Sequence, residues 1–344
     1  MRSSAVGNLL VLVAAAVAPL VAHAKPLLLV SAEAGGDVVL IDPAKAQVLE
    51  RVKVGARPRG LKLSRDGKRL LVAVAGTAKP TAPHPGAPSL AAAEPAPGLA
   101  IVDVAARKVT NHVATAPGPF GVDLLPDGRT AYLSNSDTNE VLAVDVGAGT
   151  IKKKTTIGAG PQAVAIGPSG KIVYVANHGS DEVTAIDPKA VTVVGRIDAG
   201  SRPQTIVFAR AGDKAYVIDE GLPTVTVVDA KKDTFKEQFV IPGLPKAPAP
   251  ALQSAVLSPD GKLIYVTTGA GHSVLIVDLA KKALVGTIDA VGGFPRGIAI
   301  SADGKKLYTA NGPSNDVAII DVATKKVEAR VPVPGAPWGI VVAR

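Results

Sequence analysis

Seven residues of this sequence occupy equivalent positions, because each follows a Gly-x-x-Pro connector or a relative of that connector. In chain order, these mouth residues are Arg59, Phe120, Gln162, Gln204, Gln253, Arg296 and Trp338. Arginine can bind a carboxylate or phosphate through two parallel hydrogen bonds, and tryptophan can stack on a flat ligand or on a guanidinium. If the segments that carry these residues close into a ring, Arg296 and Arg59 flank Trp338. The sequence therefore predicts a cationic, aromatic arc with three glutamines opposite.

We expect this arc to bind an anionic small molecule or an acidic protein partner through Arg59 and Arg296. Arg57 and Arg202, which lie in neighbouring connectors, would add positive charge. The alternative interpretation is structural: the same side chains stack on one another and plug the channel at the centre of the ring.

Other residues that could do chemistry are sparse. His178 and His272 could ligate a metal together with Asp219 or Glu220, but nothing in the sequence makes their loops converge. Histidines in solvated loops are the favoured interpretation. No Ser-His-Asp spacing, phosphate-binding glycine loop or paired-carboxylate motif stands out. The sequence thus assigns no catalytic residue, no metal site and no cofactor.

The elements that would position the mouth residues recur along the chain. Strand-like runs end in Ile-Asp or Val-Asp at Asp42, Asp103, Asp145, Asp187, Asp229, Asp278 and Asp321. Their spacings are 61, 42, 42, 42, 49 and 43 residues. A period of this size with several strand-like runs per unit is typical of the four-stranded blade of a β-propeller. We interpret the strand-end aspartates as caps of the turns that follow. Asp-Gly and related dipeptides predict two-residue hairpin turns elsewhere in the unit.

The repeat predicts an all-β fold, namely a seven-bladed β-propeller with four-stranded antiparallel blades. The first half-unit lacks an inner strand, whereas the last segment, from Trp338, has no strand after it. The C-terminal strand should therefore complete the N-terminal blade and close the ring, which removes an unpaired edge. Residues 25–344 are predicted to form one domain. A Pro/Ala-rich insertion, residues 77–98, falls in the second blade.

Three short motifs resemble those of the YVTN-repeat β-propeller family. They are YLSN (Tyr132–Asn135), YVAN (Tyr174–Asn177) and YTAN (Tyr308–Asn311), and they occur together with the Gly-x-x-Pro connectors. The resemblance extends over essentially the whole chain after residue 24. It implies an exported seven-bladed propeller without implying one activity. Relatives include surface-layer proteins, subunits that resemble quinoprotein amine dehydrogenases, lactonase-like enzymes and a periplasmic single-stranded-DNA binder, so function must be argued from a site.

Composition and charge restrict the function classes. Residues 1–24 combine Arg2, an apolar run and the small-residue site Ala22-His23-Ala24, which predicts a signal peptide and a periplasmic or secreted protein. The sequence has no cysteine, which excludes disulfides, thiolate metal sites and covalent haem attachment. The net charge of +9 permits anionic partners, including nucleic acid.

Basic residues concentrate in the turns opposite the connectors. We call the face with the connectors the top and the opposite face the bottom. Basic turns include Lys152–Lys154, Lys231-Lys232, Lys281-Lys282 and Lys325-Lys326. We expect a basic bottom face, which either keeps the protein soluble or docks on an anionic surface.

The leading functional hypothesis is a monomeric, non-catalytic binding or accessory protein of the cell envelope, with its ligand at the top mouth of the channel. The first alternative is a lactonase- or lyase-like enzyme with a top-face pocket. The second, which follows from the family resemblance alone, is a redox accessory of a quinoprotein or cytochrome system. The third is single-stranded nucleic-acid binding, which is less favoured because five Phe, five Tyr and one Trp offer few stacking platforms.

Overall fold

The computed structural model describes residues 26–76, 96–244 and 251–343. The predicted signal peptide, residues 1–24, and most of the 77–98 insertion lie outside these ranges. The insertion is flanked by strands Arg69–Val74 and Gly98–Asp103, the second and third strands of one blade. Among the residues described, no helix is long and apolar enough to cross a membrane.

The described chain forms seven four-stranded antiparallel sheets, which are the blades of a β-propeller. Blade 1 contains β1 (Leu27–Ala32), β2 (Asp37–Asp42), β3 (Gln47–Lys53) and, as its inner strand, β28 (Pro337–Ala343). Blade 2 contains β4 (Pro58–Leu63), β5 (Arg69–Val74), β6 (Gly98–Asp103) and β7 (Lys108–Ala114). Blade 3 contains β8 (Pro119–Leu124), β9 (Thr130–Asn135), β10 (Glu140–Asp145) and β11 (Thr150–Thr156). Blade 4 contains β12 (Pro161–Ile166), β13 (Val173–Asn177), β14 (Glu182–Asp187) and β15 (Thr192–Asp198).

The remaining three blades follow the same order. Blade 5 contains β16 (Pro203–Phe208), β17 (Lys214–Asp219), β18 (Thr224–Asp229) and β19 (Thr234–Val240). Blade 6 contains β20 (Ala255–Leu257), β21 (Leu263–Thr267), β22 (Val274–Asp278) and β23 (Ala283–Ile288), with a single 3-10 turn at Gly269–Gly271. Blade 7 contains β24 (Pro295–Ile300), β25 (Lys306–Asn311), β26 (Asp316–Asp321) and β27 (Lys326–Pro332).

Ring closure by the C-terminal strand is confirmed. Strand β28 pairs antiparallel with β1, with Leu28 opposite Val342 and Val30 opposite Ile340. The inner strands of neighbouring blades contact one another, so they surround a central channel. The predicted all-β, seven-bladed propeller is therefore the observed fold.

The apolar core lies between the blades. The second and third strands are buried along nearly their whole length, whereas the outer strands alternate between exposed and partly buried residues. In one cluster, Tyr308 and Ile319 of blade 7 pack against Leu28 and Val39 of blade 1. Because a single blade cannot cover both of its apolar faces, each blade depends on its neighbours.

Each polar position of the YLSN motif has a structural role in the propeller. The Tyr132 hydroxyl donates to the Pro188 carbonyl in the next blade (2.8 Å). The Ser134 hydroxyl donates to the carbonyl of the mouth residue Gln162 (2.5 Å). The Asn135 side chain accepts from the amides of residues 137 and 138, which shapes the loop between the second and third strands. Two of these contacts join blades, so the motif holds the ring together.

The strand-end aspartates cap the turns that follow them, as the sequence predicted. Asp145 Oδ1, for example, accepts from the amides of Gly147 (3.0 Å) and Ala148 (2.9 Å). These N–H donors, above all that of Ala148, lower the pKa of Asp145. The same contacts recur in the other blades described.

Two expectations about the turns are wrong. The Asp-Gly hairpins are not two-residue turns: Ser64 bonds to Arg69 across four residues, and only Gly67 has a positive φ, of 69°. The aspartate of this turn, Asp66, instead accepts from the Lys68 amide two residues later (3.1 Å). Lys152–Lys154 belong to the outer strand β11 and not to a bottom turn.

Glycines allow the inner strands to approach closely on one side of the channel. A Cβ at Gly60 would lie 2.5 Å from the Phe120 carbonyl oxygen, and one at Gly339 would lie 2.6 Å from the Arg59 carbonyl oxygen. Gly121 and Gly297 are in the same situation. These glycines follow the mouth residues of blades 7, 1, 2 and 3, whereas Ala163, Thr205 and Ser254 occupy the equivalent positions of blades 4, 5 and 6.

We predict that Gly60→Ala destabilises the fold, because the added methyl group would overlap backbone atoms that cannot move without separating two blades. The expected cost is about 1–3 kcal/mol in the free energy of unfolding. Denaturant titration of the purified protein would measure it. The control is Ala163→Gly at the equivalent position of blade 4, which should cost at most about 1 kcal/mol. Equal effects of the two variants would contradict the steric explanation.

Candidate functional site

The mouth residues lie at the top end of the channel. In six blades the inner strand begins at the proline of the connector, so the mouth residue is the second residue of its strand. A cavity of about 210 Å³ opens there, and its lining includes Arg59, Phe120, Gln204, Gln253, Arg296 and Trp338. At Gln162 the following backbone, Ala163 and Val164, lines the cavity.

The predicted arc is present as a stack of cations and aromatic rings. The Arg296 guanidinium lies 3.7 Å from the centroid of the Trp338 ring, and that of Arg59 lies 4.8 Å from it. Arg59 also lies 4.9 Å from the Phe120 centroid, and Phe120 meets Trp338 edge to face at 5.9 Å. The stacking that we considered as an alternative therefore occurs, yet it leaves the cavity open.

The two arginines of the arc have different electrostatic surroundings. Arg59 forms an ion pair with Glu33 (2.9 Å), and Glu33 also accepts from Arg57 (3.2 Å). Burial lowers the pKa of Arg59, and Glu33 opposes that effect. Glu33 therefore already neutralises part of the positive charge at this side of the mouth.

Arg296 has no such partner. Within the described ranges, no carboxylate lies within 4.0 Å of its guanidinium. Burial lowers the pKa of Arg296 to about 10, with smaller opposing effects from Glu33 and Glu220, so the side chain remains charged at neutral pH. A half-buried cation that faces a cavity without a counter-ion favours an anionic ligand or a developing negative charge.

A His–Glu pair adjoins the glutamine side of the mouth. His178 Nε2 is 2.8 Å from Glu220 Oε2, and the two side chains are only 22% and 20% exposed. Gln253, which lines the cavity, donates to Glu220 Oε1 (3.0 Å), and Arg202 lies 3.3 Å from Glu220 Oε2. The bond from His178 is the largest cause that lowers the pKa of Glu220. An ionised carboxylate can only accept, so Nε2 donates, and in the neutral imidazole Nδ1 then has the lone pair.

The sequence-based interpretation of His178 as a solvated loop residue is thus wrong, because Glu220 orients its ring. His272 is different: it is exposed, and its Nδ1 accepts from the Phe294 amide (3.1 Å). Across the described residues, no group of three or more His, Cys, Asp or Glu side chains could hold a metal ion.

The glutamines opposite the arc provide acceptors. The Oε1 atoms of Gln162 and Gln204 are buried without a hydrogen-bond partner in the part of the chain described. Buried polar atoms are rarely left unpaired. Of the two, only Gln204 lines the cavity, so a ligand with a hydroxyl group at this wall would satisfy the Gln204 amide.

Glu33, His178 and Glu220 share one repeat position, which the sequence analysis did not identify. Each follows the last residue of the second strand, and each backbone N–H bonds to the connector before its blade. The other blades have Ala75, Ser136, Thr268 and Gly312 there. An alignment of the repeats at this position would have revealed three ionisable residues among small ones.

Comparison with known proteins supports the propeller fold and bears on the choice between the binding-protein and lactonase hypotheses. A family model described as "Lactonase, 7-bladed beta-propeller" matches residues 187–334. The chain is a seven-bladed β-propeller. A search of curated proteins gives no match. Among solved structures, the hydrazine synthase of Kuenenia stuttgartiensis is 23% identical with a TM-score of 0.72, over 86% of this chain and 92% of that one.

Two further structures are described as lactonases. The periplasmic gluconolactonase PpgL of Pseudomonas aeruginosa is 20% identical with a TM-score of 0.74, over 93% of this chain and 99% of that chain. A putative 6-phosphogluconolactonase of Bacteroides fragilis is 19% identical with a TM-score of 0.74, over 93% and 98% of the two chains. At these identities the likeness shows the fold alone. Together with the family match, it favours our lactonase alternative over our leading hypothesis of a binding protein.

Asp219 occupies the position that Asn135, Asn177 and Asn311 occupy in other blades, directly before Glu220. It is fully buried and accepts from Thr224 (2.5 Å), with longer contacts to Thr226 and Gln238. Burial raises the pKa of Asp219 to about 7, although these donors oppose the shift and Asp181 adds to it.

We predict that Asp219→Asn stabilises the protein at pH 8 and has little effect at pH 4. An unfolded chain ionises this carboxyl near pH 4, whereas the folded protein holds the proton until about pH 7, so stability is lost between these values. The gain at pH 8 has an upper limit of about 4 kcal/mol. Thermal unfolding at the two pH values would measure it. The reverse change in blade 4, Asn177→Asp, should show the opposite trend, and a gain of equal size at both pH values would refute this account.

Proposed function

We propose that this protein is a lactonase-like hydrolase that opens a lactone ring at the top mouth of its channel. The observation that carries the proposal is the oriented His178–Glu220 pair, which contacts the cavity residue Gln253 on the polar side of the mouth, whereas Arg296 on the other side is a half-buried cation without a counter-ion among the described residues. The match of residues 187–334 to the lactonase propeller family supports the same reaction class.

The residues have distinct roles in this proposal. Nδ1 of His178 takes a proton from a water molecule, and the water oxygen attacks the lactone carbonyl carbon. Arg296 stabilises the negative charge that develops on the carbonyl oxygen. When the ring C–O bond breaks, the imidazolium returns the proton to the leaving ring oxygen. The product is a hydroxy acid whose carboxylate remains beside Arg296.

The walls of the mouth suggest the substrate class. The unpaired Oε1 atom of Gln204, which lines the cavity, can accept from a ring hydroxyl group, and Trp338 offers a flat surface for a ring. A sugar-derived lactone has both features. The names of two structural relatives, a gluconolactonase and a putative 6-phosphogluconolactonase, describe substrates of that kind.

We expect the purified protein to hydrolyse glucono-δ-lactone or a related sugar lactone faster than buffer alone, in a continuous assay of acid release. His178→Ala should lower kcat by about 10²- to 10⁴-fold, because it removes the general base. Arg296→Met should lower kcat by about 10²- to 10³-fold, with partial recovery in Arg296→Lys. The control is His112→Ala on the outer strand β7, which should retain activity. Absence of turnover across a panel of sugar lactones would overturn the proposal.

Binding can be measured separately through Trp338, the only tryptophan of the chain. We expect the product acid, gluconate, to quench Trp338 fluorescence, because its carboxylate would displace a stacked guanidinium. The double variant Arg59→Met/Arg296→Met should lose the quench and keep a cooperative thermal transition. If this variant instead fails to fold, the arc is structural packing and the ligand site is wrong. Quenching without any turnover would favour the binding or accessory function over the enzyme.

We also propose that the mature protein acts as a monomer in the periplasm or outside the cell. The location is supported by the sequence of residues 1–24, with its basic start, apolar run and small-residue cleavage site. Detection of a mature chain that begins near Lys25 in a periplasmic extract would test the location.

A further inference from the structure

A second cavity opens at the opposite end of the channel, on the bottom face. It has a volume of about 430 Å³ and is lined by the first turns and inner-strand ends of blades 2, 3 and 4. This volume is within the range of small-molecule sites, roughly 300–1,000 Å³. It is also larger than the cavity at the top mouth, so space alone does not prevent a ligand from binding there.

The inner wall of this cavity is a satisfied ion pair. Lys62 Nζ lies 2.6 Å from Asp123 Oδ1, and Asp123 is only 7% exposed. Asp123 Oδ2 also accepts from the Ile166 amide (2.8 Å). These contacts join blades 2, 3 and 4. Lys62 neutralises the Asp123 carboxylate, so Asp123 has no free charge to offer a ligand.

Two guanidiniums at the same cavity lack a carboxylate partner. Arg65 donates to the Pro168 carbonyl (3.2 Å) and Arg69 to the Gly128 carbonyl (2.9 Å). Over the ranges that the structure describes, neither arginine forms an ion pair. Hydrogen bonds to charged acceptors are roughly twice as strong as those to neutral ones. An anion would therefore compete well with both carbonyls.

The two exposed carboxylates at the rim of the cavity, Asp66 and Asp127, direct their hydrogen bonds to their own turns, although Arg69 and Asp66 still attract each other through space. Asp66 Oδ1 accepts from the Ser64 hydroxyl (2.6 Å) and the Lys68 amide (3.1 Å). Asp127 Oδ1 accepts from the Arg129 amide (2.8 Å). Both acids shape their hairpins, and the direct hydrogen-bond partners of the two guanidiniums are carbonyl groups.

Arg65 reaches from blade 2 to blade 4 and thus crosses the opening in front of blade 3. It is exposed, so the exchange of one carbonyl contact for an anion needs no rearrangement of the core. The surrounding bottom turns carry further lysines in a chain with a net charge of +9, which would attract anions to this face.

We propose that the bottom cavity is a second ligand site, distinct from the top mouth, that binds a phosphate group between Arg65 and Arg69. A phosphate offers more acceptor oxygens than a carboxylate, which suits two separate guanidiniums and the spare N–H groups of Lys62. The remaining volume accommodates an organic substituent. The phosphate can belong to a soluble phosphomonoester or to a lipid headgroup, and the two sources share this chemistry.

Isothermal titration calorimetry with inorganic phosphate and with glycerol 3-phosphate would measure the Kd of the site. The Arg59→Met/Arg296→Met background removes both arginines of the top mouth, so the outcome does not depend on the proposed lactonase. We expect one bound anion, and at least a tenfold weaker Kd in Arg65→Met/Arg69→Met. The matched control is Lys325→Met/Lys326→Met, which removes the same charge from blade 7 and should change Kd less than twofold. Equal weakening in both double variants, or intact binding in the arginine variant, would overturn the site.

Vesicle co-sedimentation separates the two sources of phosphate. The site is assigned to a lipid headgroup if the protein binds phosphatidylglycerol vesicles but not phosphatidylcholine vesicles, and if that binding requires Arg65 and Arg69. Binding of the soluble phosphates alone with the same requirement assigns it to a small molecule. If neither probe binds, the proposal fails. If the double variant does not unfold cooperatively, the single variant Arg65→Met, which loses one exposed carbonyl contact, replaces it and should still weaken Kd.

Discussion

At three blade junctions, one side-chain hydroxyl group of a second strand bonds to the inner strand of the next blade. The geometry of the top mouth depends on these bonds. Ser31 Oγ accepts from the Gly339 amide (2.8 Å) and donates to the Arg59 carbonyl (2.7 Å). Ser134 and Thr267 make the corresponding bridges to the carbonyls of Gln162 and Arg296. Each bridge fixes the backbone of a mouth residue relative to the blade before it. The positions of the arginine side chains are therefore set by the ring and not by flexible loops.

The close approach of the inner strands makes the channel asymmetric. Glycines follow Arg296, Trp338, Arg59 and Phe120, which lets these four inner strands approach closely enough for their side chains to stack. The other three blades have larger residues at that position, and there the mouth is lined by glutamines. One side is thus cationic and aromatic, whereas the other is polar and adjoins His178 and Glu220. A ligand at the axis would meet both kinds of wall.

The sequence predicted the blades well because the fold repeats its local chemistry. Strand-end aspartates and connector prolines recur in register, so the blade number, the ring closure and the order of the mouth residues followed from counting. The partners of those residues did not follow. Glu33 neutralises Arg59 and Glu220 orients His178 only because loops of adjacent blades meet, and that contact has no signature within one repeat. The Lys152–Lys154 run was misplaced because the turn before it ends earlier than its charge pattern suggested.

Function in this molecule arises where equivalent positions differ. A residue that recurs in most blades, such as the tyrosine of the YLSN motif, contributes to the ring and cannot also be specific to one ligand. A ligand-specific or catalytic residue must instead occupy a position that faces the channel and at which the fold does not require one residue type. The mouth residues form one such set, and the residues after the second strand form another, which supplies Glu33, His178 and Glu220. The two sets meet at Gln253, which lines the cavity and donates to Glu220. The top mouth thus combines a fixed backbone with variable side chains, which is the combination that a preorganised site requires.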